Sequence, residues 1–112
     1  MSLTARVASI SDNRLGGWTS YRATKAGTNA AIKNLQLELA VRKSSAIAMA
    51  YHPGTVKTGL SAPFVARDKP EGDAHGLFAI DEAVRKWEAV VKGLRREDGG
   101  QLLDWKGERI EW

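Results

Sequence analysis

Tyr21 and Lys25 stand four residues apart in a stretch, from about Ser20 to Lys43, that has no proline and many helix formers. On a helix this spacing puts both side chains on one face, about one turn apart. A phenol ordinarily keeps its proton up to about pH 10, but an ammonium fixed within about 4–6 Å favours the phenolate. Such a pair can give and take a proton at a substrate oxygen, although surface pairs of the same type also occur with no chemical role. Ser9 and Ser11 lie twelve and ten residues before Tyr21, where a hydroxyl could hydrogen-bond a carbonyl as it becomes an alkoxide. A third stretch, Pro53-Gly54-Thr55-Val56-Lys57-Thr58, follows an apolar run. Its glycine permits close approach of a ligand to the backbone, and the same residues also suit an ordinary turn. His52 and His75 are the only histidines and there is no cysteine. No metal site is expected from that set, and His52 is read as part of the turn.

These residues need elements to hold them. Val7 to Ile10 is β-favouring and runs into the polar loop Ser11 to Gly17, which reads as a strand end followed by a loop. The spacing predicts one long helix from about Ser20 to Lys43, capped by Thr19 or Ser20. Within it Gly27, beside Ala23, Ala26, Ala30 and Ala31, marks a small-residue face where another backbone would come close, a candidate surface for association. Ala46 to Tyr51 is an uninterrupted apolar run, the pattern of a strand covered on both faces. Lys57 to Phe78 reads as a long loop, and Asp81 opens a second helix with Ala83, Val84, Trp87, Val90, Val91 and Leu94 on one face. Leu102 to Trp105 reads as a closing strand, and Ile110 and Trp112 as a short extended tail. The order strand, helix, strand, loop, helix, strand predicts the α/β class, with right-handed crossovers and a small parallel sheet. In such sheets ligands bind at the carboxyl ends of the strands.

Composition bounds the alternatives. The chain has 112 residues, 43% hydrophobic and 27% charged, which suits a single soluble domain. No apolar run approaches the roughly twenty residues of a membrane span, and no signal peptide is read at the start. Without cysteine, a reducing, cytoplasmic setting is the expectation. The net charge of +4 is spread from Arg6 to Arg109, and its one tight cluster, Arg95-Arg96, runs straight into Glu97-Asp98, so nucleic-acid binding is not expected. The four tryptophans read as core or edge packing, except Trp18, whose place before Tyr21 could line a substrate pocket.

Taken together, these stretches resemble the short-chain dehydrogenase/reductase family. Tyr21-Arg22-Ala23-Thr24-Lys25 is similar to its Tyr-x-x-x-Lys motif, and Pro53 to Thr58 to its Pro-Gly-x-Val-x-Thr motif. The strings Ala5 to Asn13 and Gly16-Gly17-Trp18, with the ending Asp104-Trp105-Lys106-Gly107-Glu108, look like the C-factor-like branch. The resemblance covers nearly the whole chain from Thr4 onward. It implies a partial Rossmann-like, doubly wound fold and a nicotinamide cofactor, NAD or NADP. It also implies hydride transfer between a small carbonyl and an alcohol, and self-association as a homodimer through the long helix. Tyr21 would be the catalytic acid/base, and Lys25 would ease its deprotonation and hold the nicotinamide ribose. The segment carrying Pro53, Gly54, Val56 and Thr58 would contact the carboxamide. The family serine lies about thirteen residues before the tyrosine, which lands on Ala8, so the adjacent Ser9 is the candidate, with Thr4 and Ser11 as alternatives. None of the eleven glycines forms the phosphate-loop fingerprint, and the family's Asn-Asn-Ala-Gly motif is absent. The chain therefore reads as the carboxyl-terminal half of such an enzyme, truncated, with Met1-Ser2-Leu3 as an added start, and weak or inactive alone. The alternative is a non-catalytic remnant that serves as an oligomerisation or protein-binding module.

Overall fold

The computed structural model describes residues 1–65, 71–72 and 76–112. Along the chain come β1 (Ser2–Leu3), α1 (Thr19–Val41), β2 (Ala50–His52), β3 (Thr55–Val56), β4 (Leu77–Phe78), α2 (Ile80–Gly93), β5 (Leu102–Asp104) and β6 (Arg109–Ile110). The main sheet has the order β1-β2-β5-β6. β1 and β5 flank β2 in parallel, aligning Leu3 with Tyr51 and Tyr51 with Leu103. The fold is thus α/β with a small parallel sheet and one long helix.

Period-two alternation sends the strand residues to opposite faces. Met49, Tyr51 and Leu103 meet Val90 and Leu94 of the α2 region. Ala50, Leu102 and Ile110 face the other way, against Ile32 of α1 and Trp112. Tyr51, Met49, Leu102, Leu77 and Phe78 are completely buried, each contributing roughly 1.5–3 kcal/mol of apolar transfer free energy. This two-sided cover is what the unbroken apolar run before His52 implied.

Several boundaries move. The strand expected at Val7 to Ile10 lies earlier, at Ser2–Leu3, and Arg6–Ala8 is a single 3-10 turn. After the Thr4 amide donates to the Tyr51 carbonyl (2.8 Å), Ala8 and Ser9 close back on Ala5 and Arg6. The chain leaves the sheet there, and Ile10 ends up exposed. The second strand is shorter than the run Ala46 to Tyr51, beginning only at Ala50. Neither Thr19 nor Ser20 caps α1: the capping position is Trp18, in a left-handed conformation with no side-chain cap. The stretch Lys57 to Phe78 is not all loop. Leu77–Phe78 forms β4, parallel to β3, and Ala62–Phe64 makes a 3-10 turn. Residues 66–70 and 73–75, with Pro70 and His75, lie outside the described residues. The tail is a true strand, and β6 runs antiparallel to β5, so the sheet is mixed at that edge. At the centre of the small-residue face of α1, Gly27 is exposed, with no atom within 4 Å of where a Cβ would sit, whereas the neighbouring Ala26 is half-buried. His52 is the last residue of β2 rather than a turn residue. No helix among the described residues is long and apolar enough to cross a membrane.

Gly54 holds φ at +76°, and a Cβ there would lie 2.6 Å from the Phe78 ring and 2.8 Å from the Gly76 carbonyl. Gly54→Ala should therefore destabilise the chain by roughly 2–4 kcal/mol, combining left-handed strain with overpacking. Gly93→Ala, at the end of α2 with open space around it, should be neutral or slightly stabilising. Urea midpoints of the two variants check the contrast.

The His52 ring is packed edge-on against Trp105 at 5.3 Å. Burial, reinforced by Arg6 and partly opposed by Asp104, pulls its pKa down to about 4. The unfolded chain binds this proton near pH 6.5, so stability is full above that value and falls as the pH drops toward 4. The loss is on the order of 3 kcal/mol. His52→Phe should flatten the pH dependence of the urea midpoint between pH 7 and pH 4. An unchanged slope would assign the acid sensitivity to other groups.

Candidate active site

The site is built where β1 and β2 end and α1 begins. Leu3 is the last residue of β1, and its carbonyl accepts a hydrogen bond from Lys25 Nζ at 3.4 Å. The next residue, Thr4, donates its hydroxyl to Asn29 Oδ1 at 2.8 Å and lies 3.4 Å from the Lys25 carbonyl. One face of α1 is thereby tied to the strand end through Lys25 and Asn29. Lys25 Nζ sits 5.9 Å from the centre of the Tyr21 ring. The expected shared face exists, with the ammonium anchored at a strand's carboxyl end and the phenol one turn away, 43% exposed. Asn29 continues the same four-residue step from Tyr21 and Lys25. It is buried, and its Nδ2 has no hydrogen-bond partner among the described residues. Sequence reasoning missed Asn29, although its spacing from Lys25 was a legible signal.

Trp18 turns its ring edge-on to Tyr21 at 6.0 Å and lies at 5.1 Å from Phe64. Phe64 belongs to the turn that follows Pro53 to Thr58, so this contact joins the second motif's loop to the first motif's helix. No sequence signal marks Phe64, because only the tertiary path of the loop brings it there.

Thr55 and Lys57 donate their amides to the Gly76 and Phe78 carbonyls across the β3–β4 ladder. In a parallel ladder the intervening residue faces the other way, so the Val56 amide points off the ladder. Ser61 Oγ donates to the Val56 carbonyl at 2.6 Å, and the Thr58 amide donates to Ser61 Oγ at 3.1 Å, closing a small turn with Thr58 exposed. Pro53 directly follows β2, half-buried. Gly54 is required by the packing of Phe78 and Gly76 rather than left open for a ligand. An ammonium with donors to spare and an amide aimed away from its ladder suit the ribose hydroxyls and carboxamide of a nicotinamide.

Ser9 is placed differently from Thr4. It is buried, donates its hydroxyl to the Glu111 carbonyl, and accepts the Asp12 amide at 3.1 Å. Ser11 Oγ donates to the Trp112 carbonyl at 2.8 Å, and its amide donates to that same carbonyl at 3.0 Å. Both serines thus bind the carboxyl-terminal tail, whereas the Thr4 hydroxyl is the one bonded to the helix face that carries Lys25. Among the described residues no group of three His, Cys, Asp or Glu side chains is arranged to hold a metal ion.

No family model matches the chain. It is 28% identical over 110 residues to C-signal of Myxococcus xanthus, an alignment that covers 98% of this chain and 58% of that protein. Among solved structures it superposes on an NADPH-bound carbonyl reductase from chicken fatty liver with a TM-score of 0.77 and 27% identity, over 98% of this chain and 41% of that one. A putative short-chain dehydrogenase/reductase from Burkholderia multivorans with bound NADP gives a TM-score of 0.75 and 25% identity, over 98% and 42%. The chain spans little more than half the length of its curated relative and less than half of either solved chain. With the Tyr21–Lys25 face at the end of β1, the neighbouring β3 segment and these likenesses in agreement, the chain is similar to a carboxyl-terminal portion of short-chain dehydrogenase/reductase proteins, and its match to C-signal accords with the C-factor-like branch.

Proposed function

We propose that this chain supplies the proton-transfer and nicotinamide-facing part of a short-chain-type oxidoreductase that interconverts a carbonyl and an alcohol. The observation that carries this reading is the placement of Tyr21 and Lys25 on one helix face, with Lys25 pinned to the Leu3 carbonyl at the carboxyl end of β1. When bound, NADH or NADPH supplies the hydride for the carbonyl carbon. Tyr21 Oη gives its proton to the carbonyl oxygen and takes it back in the reverse direction. Lys25 provides positive charge beside the phenol and donors for the ribose hydroxyls. Val56 orients the carboxamide through its amide, which points off the ladder, with Pro53, Gly54 and Thr58 shaping the backbone around it. The polarising hydroxyl is assigned to Ser9, which would have to exchange its bond to Glu111 for one to substrate; Thr4 and Ser11 are the alternatives. The relevant unit is the carboxyl-terminal half of the family fold, with weak activity or none on its own. The NADPH and NADP bound by the two solved relatives support a nicotinamide cofactor.

Tyr21→Phe removes only the phenolic hydroxyl. Cofactor oxidation measured at 340 nm with a panel of aldehydes and ketones should fall by about 10²-fold or more in this variant, and undiminished turnover would remove Tyr21 from the chemistry. Binding is a separate question. NADH or NADPH at 100 times the dissociation constant should stabilise the chain by about 2.7 kcal/mol. That appears as a rise in melting temperature, and Lys25→Met should abolish it.

A second reading has its own support, the exposed stripe Ala23, Gly27, Ala30 and Ala31 on α1. In it the chain acts as an association module, self-pairing through α1. Sedimentation should then show a dimer that Gly27→Leu dissociates, and a monomer at all concentrations would end this reading.

A further inference from the structure

The residue after Tyr21 carries an unusual set of bonds. Arg22 donates from Nε to the Gly17 carbonyl at 2.9 Å, from Nη2 to the Gly16 carbonyl at 3.1 Å, and from Nη1 to the Val7 carbonyl at 2.9 Å. The first two acceptors open a run of three residues with positive φ: Gly16 at 66°, Gly17 at 71° and Trp18 at 53°. Glycine accepts that conformation freely, but for tryptophan it is strained. Neither glycine is packed: a Cβ at Gly16 or Gly17 would meet nothing within 4 Å. Both are therefore there for their dihedral angles alone, and core packing does not hold the run. The clamp does, helped by the Gly16 amide bonding Asn13 Oδ1 at 2.9 Å and the Arg22 amide bonding the Trp18 carbonyl at 2.9 Å. What the run delivers is the Trp18 indole, set edge-on to Tyr21 and against Phe64. Trp18 and Phe64 are 57% and 67% exposed. Two aromatic surfaces therefore stand open beside the phenol, an arrangement that holds a flat apolar body.

We propose that Arg22 is a positioning residue. By clamping the left-handed Gly16-Gly17-Trp18 turn through the Gly16 and Gly17 carbonyls and tying it to the Val7 carbonyl, it fixes the Trp18–Phe64 wall beside Tyr21 and so selects aromatic or otherwise bulky apolar carbonyl substrates over small ones. This rests on the reading of Tyr21 as the proton donor. The guanidinium is suited to the task because its planar fork presents several donors at fixed angles, whereas a lysine ammonium at the same place keeps the charge but not the fork.

Arg22→Lys and Arg22→Ala in the full chain test it with two readouts. The first is amide hydrogen exchange with nuclear Overhauser contacts between the Trp18 indole and the Tyr21 ring. Both variants should speed exchange at Gly16 and Arg22, whose amides bond Asn13 Oδ1 and the Trp18 carbonyl, by about tenfold or more relative to Leu102 and Leu103, consistent with lost bonds to a charged donor, and should lose the indole–phenol contacts. The second readout is turnover of acetophenone against acetone. In Arg22→Lys the KM for acetophenone should rise about tenfold, while its kcat and the KM for acetone stay within about twofold, a split that general destabilisation would not produce. Should Arg22→Ala fail to fold, Arg22→Lys alone decides. Wild-type exchange and wild-type indole–phenol contacts in Arg22→Lys would overturn the clamp, and unchanged discrimination between the two ketones would overturn its role in selection. Should the parent chain turn over neither ketone, the selection is read from binding, as acetophenone against acetone perturbation of the Trp18 indole resonances: a preference for acetophenone that Arg22→Lys loses supports it and an unchanged preference overturns it, while the exchange and contact measurements still decide whether Arg22 holds the turn.

Discussion

The site depends on the ladder bonds of a single short strand. β2 is flanked on both sides, and its Tyr51 aligns with Leu3 of β1 and Leu103 of β5. This register fixes where β1 stops, and therefore where the Leu3 carbonyl waits for Lys25 and where Thr4 meets Asn29. It also fixes where the chain leaves the sheet at His52 to enter Pro53 and Gly54. The two motifs begin 32 residues apart in sequence, at Tyr21 and Pro53. They come to one edge because adjacent parallel strands present their carboxyl ends on the same side.

The structure is economical in its polar contacts near this edge and less so beneath it. Tyr51 is buried and His52 half-buried, and Asp104 is aligned directly beside His52. Burial first, and then the Asp104 carboxylate, pushes the Tyr51 phenol up to about 12. The atoms Tyr51 Oη, His52 Nδ1 and Trp105 Nε1 are all buried without a hydrogen-bond partner among the described residues. Asp104 Oδ1 is occupied by the Lys106 and Glu108 amides, which form the turn into β6. The sheet's carboxyl end thus keeps its buried tyrosine and the adjoining half-buried histidine neutral at pH 7, and leaves Tyr21, on the helix, as the tyrosine with access to solvent.

Much of this was legible in the sequence, for identifiable reasons. Helices announce themselves by periodicity over many residues, so α1 and α2 fall close to their expected spans. The apolar run before His52 revealed a strand covered on both faces, because burial on two sides leaves no polar alternation. Short strands defeat the same logic. Val7 and Ile10 have strand-forming side chains, yet the register of β1 with β2 ends before them, and no local preference can outweigh a missing partner strand. β4 was hidden in a glycine- and proline-rich stretch because two residues carry no period, and only its partner β3 makes it a strand. The Tyr21–Lys25 pair was legible because its geometry is local to one helix. The environments of Ser9 and Phe64 were not, since both depend on contacts made far along the chain.

The tail that holds Ser9 and Ser11 has a kinetic side. Their hydroxyls bond the carbonyls of Glu111 and Trp112, contacts separated by 102 and 101 residues. Loops of that separation close late, because chain entropy opposes them until the rest has collapsed. During synthesis, α1 and the parallel ladder of β1 with β2 can form while the segment leading into the Tyr21 helix still lacks its last anchors. Those anchors arrive only with residues 111 and 112. The order of translation therefore separates the moment the fold is specified from the moment this segment is fastened down.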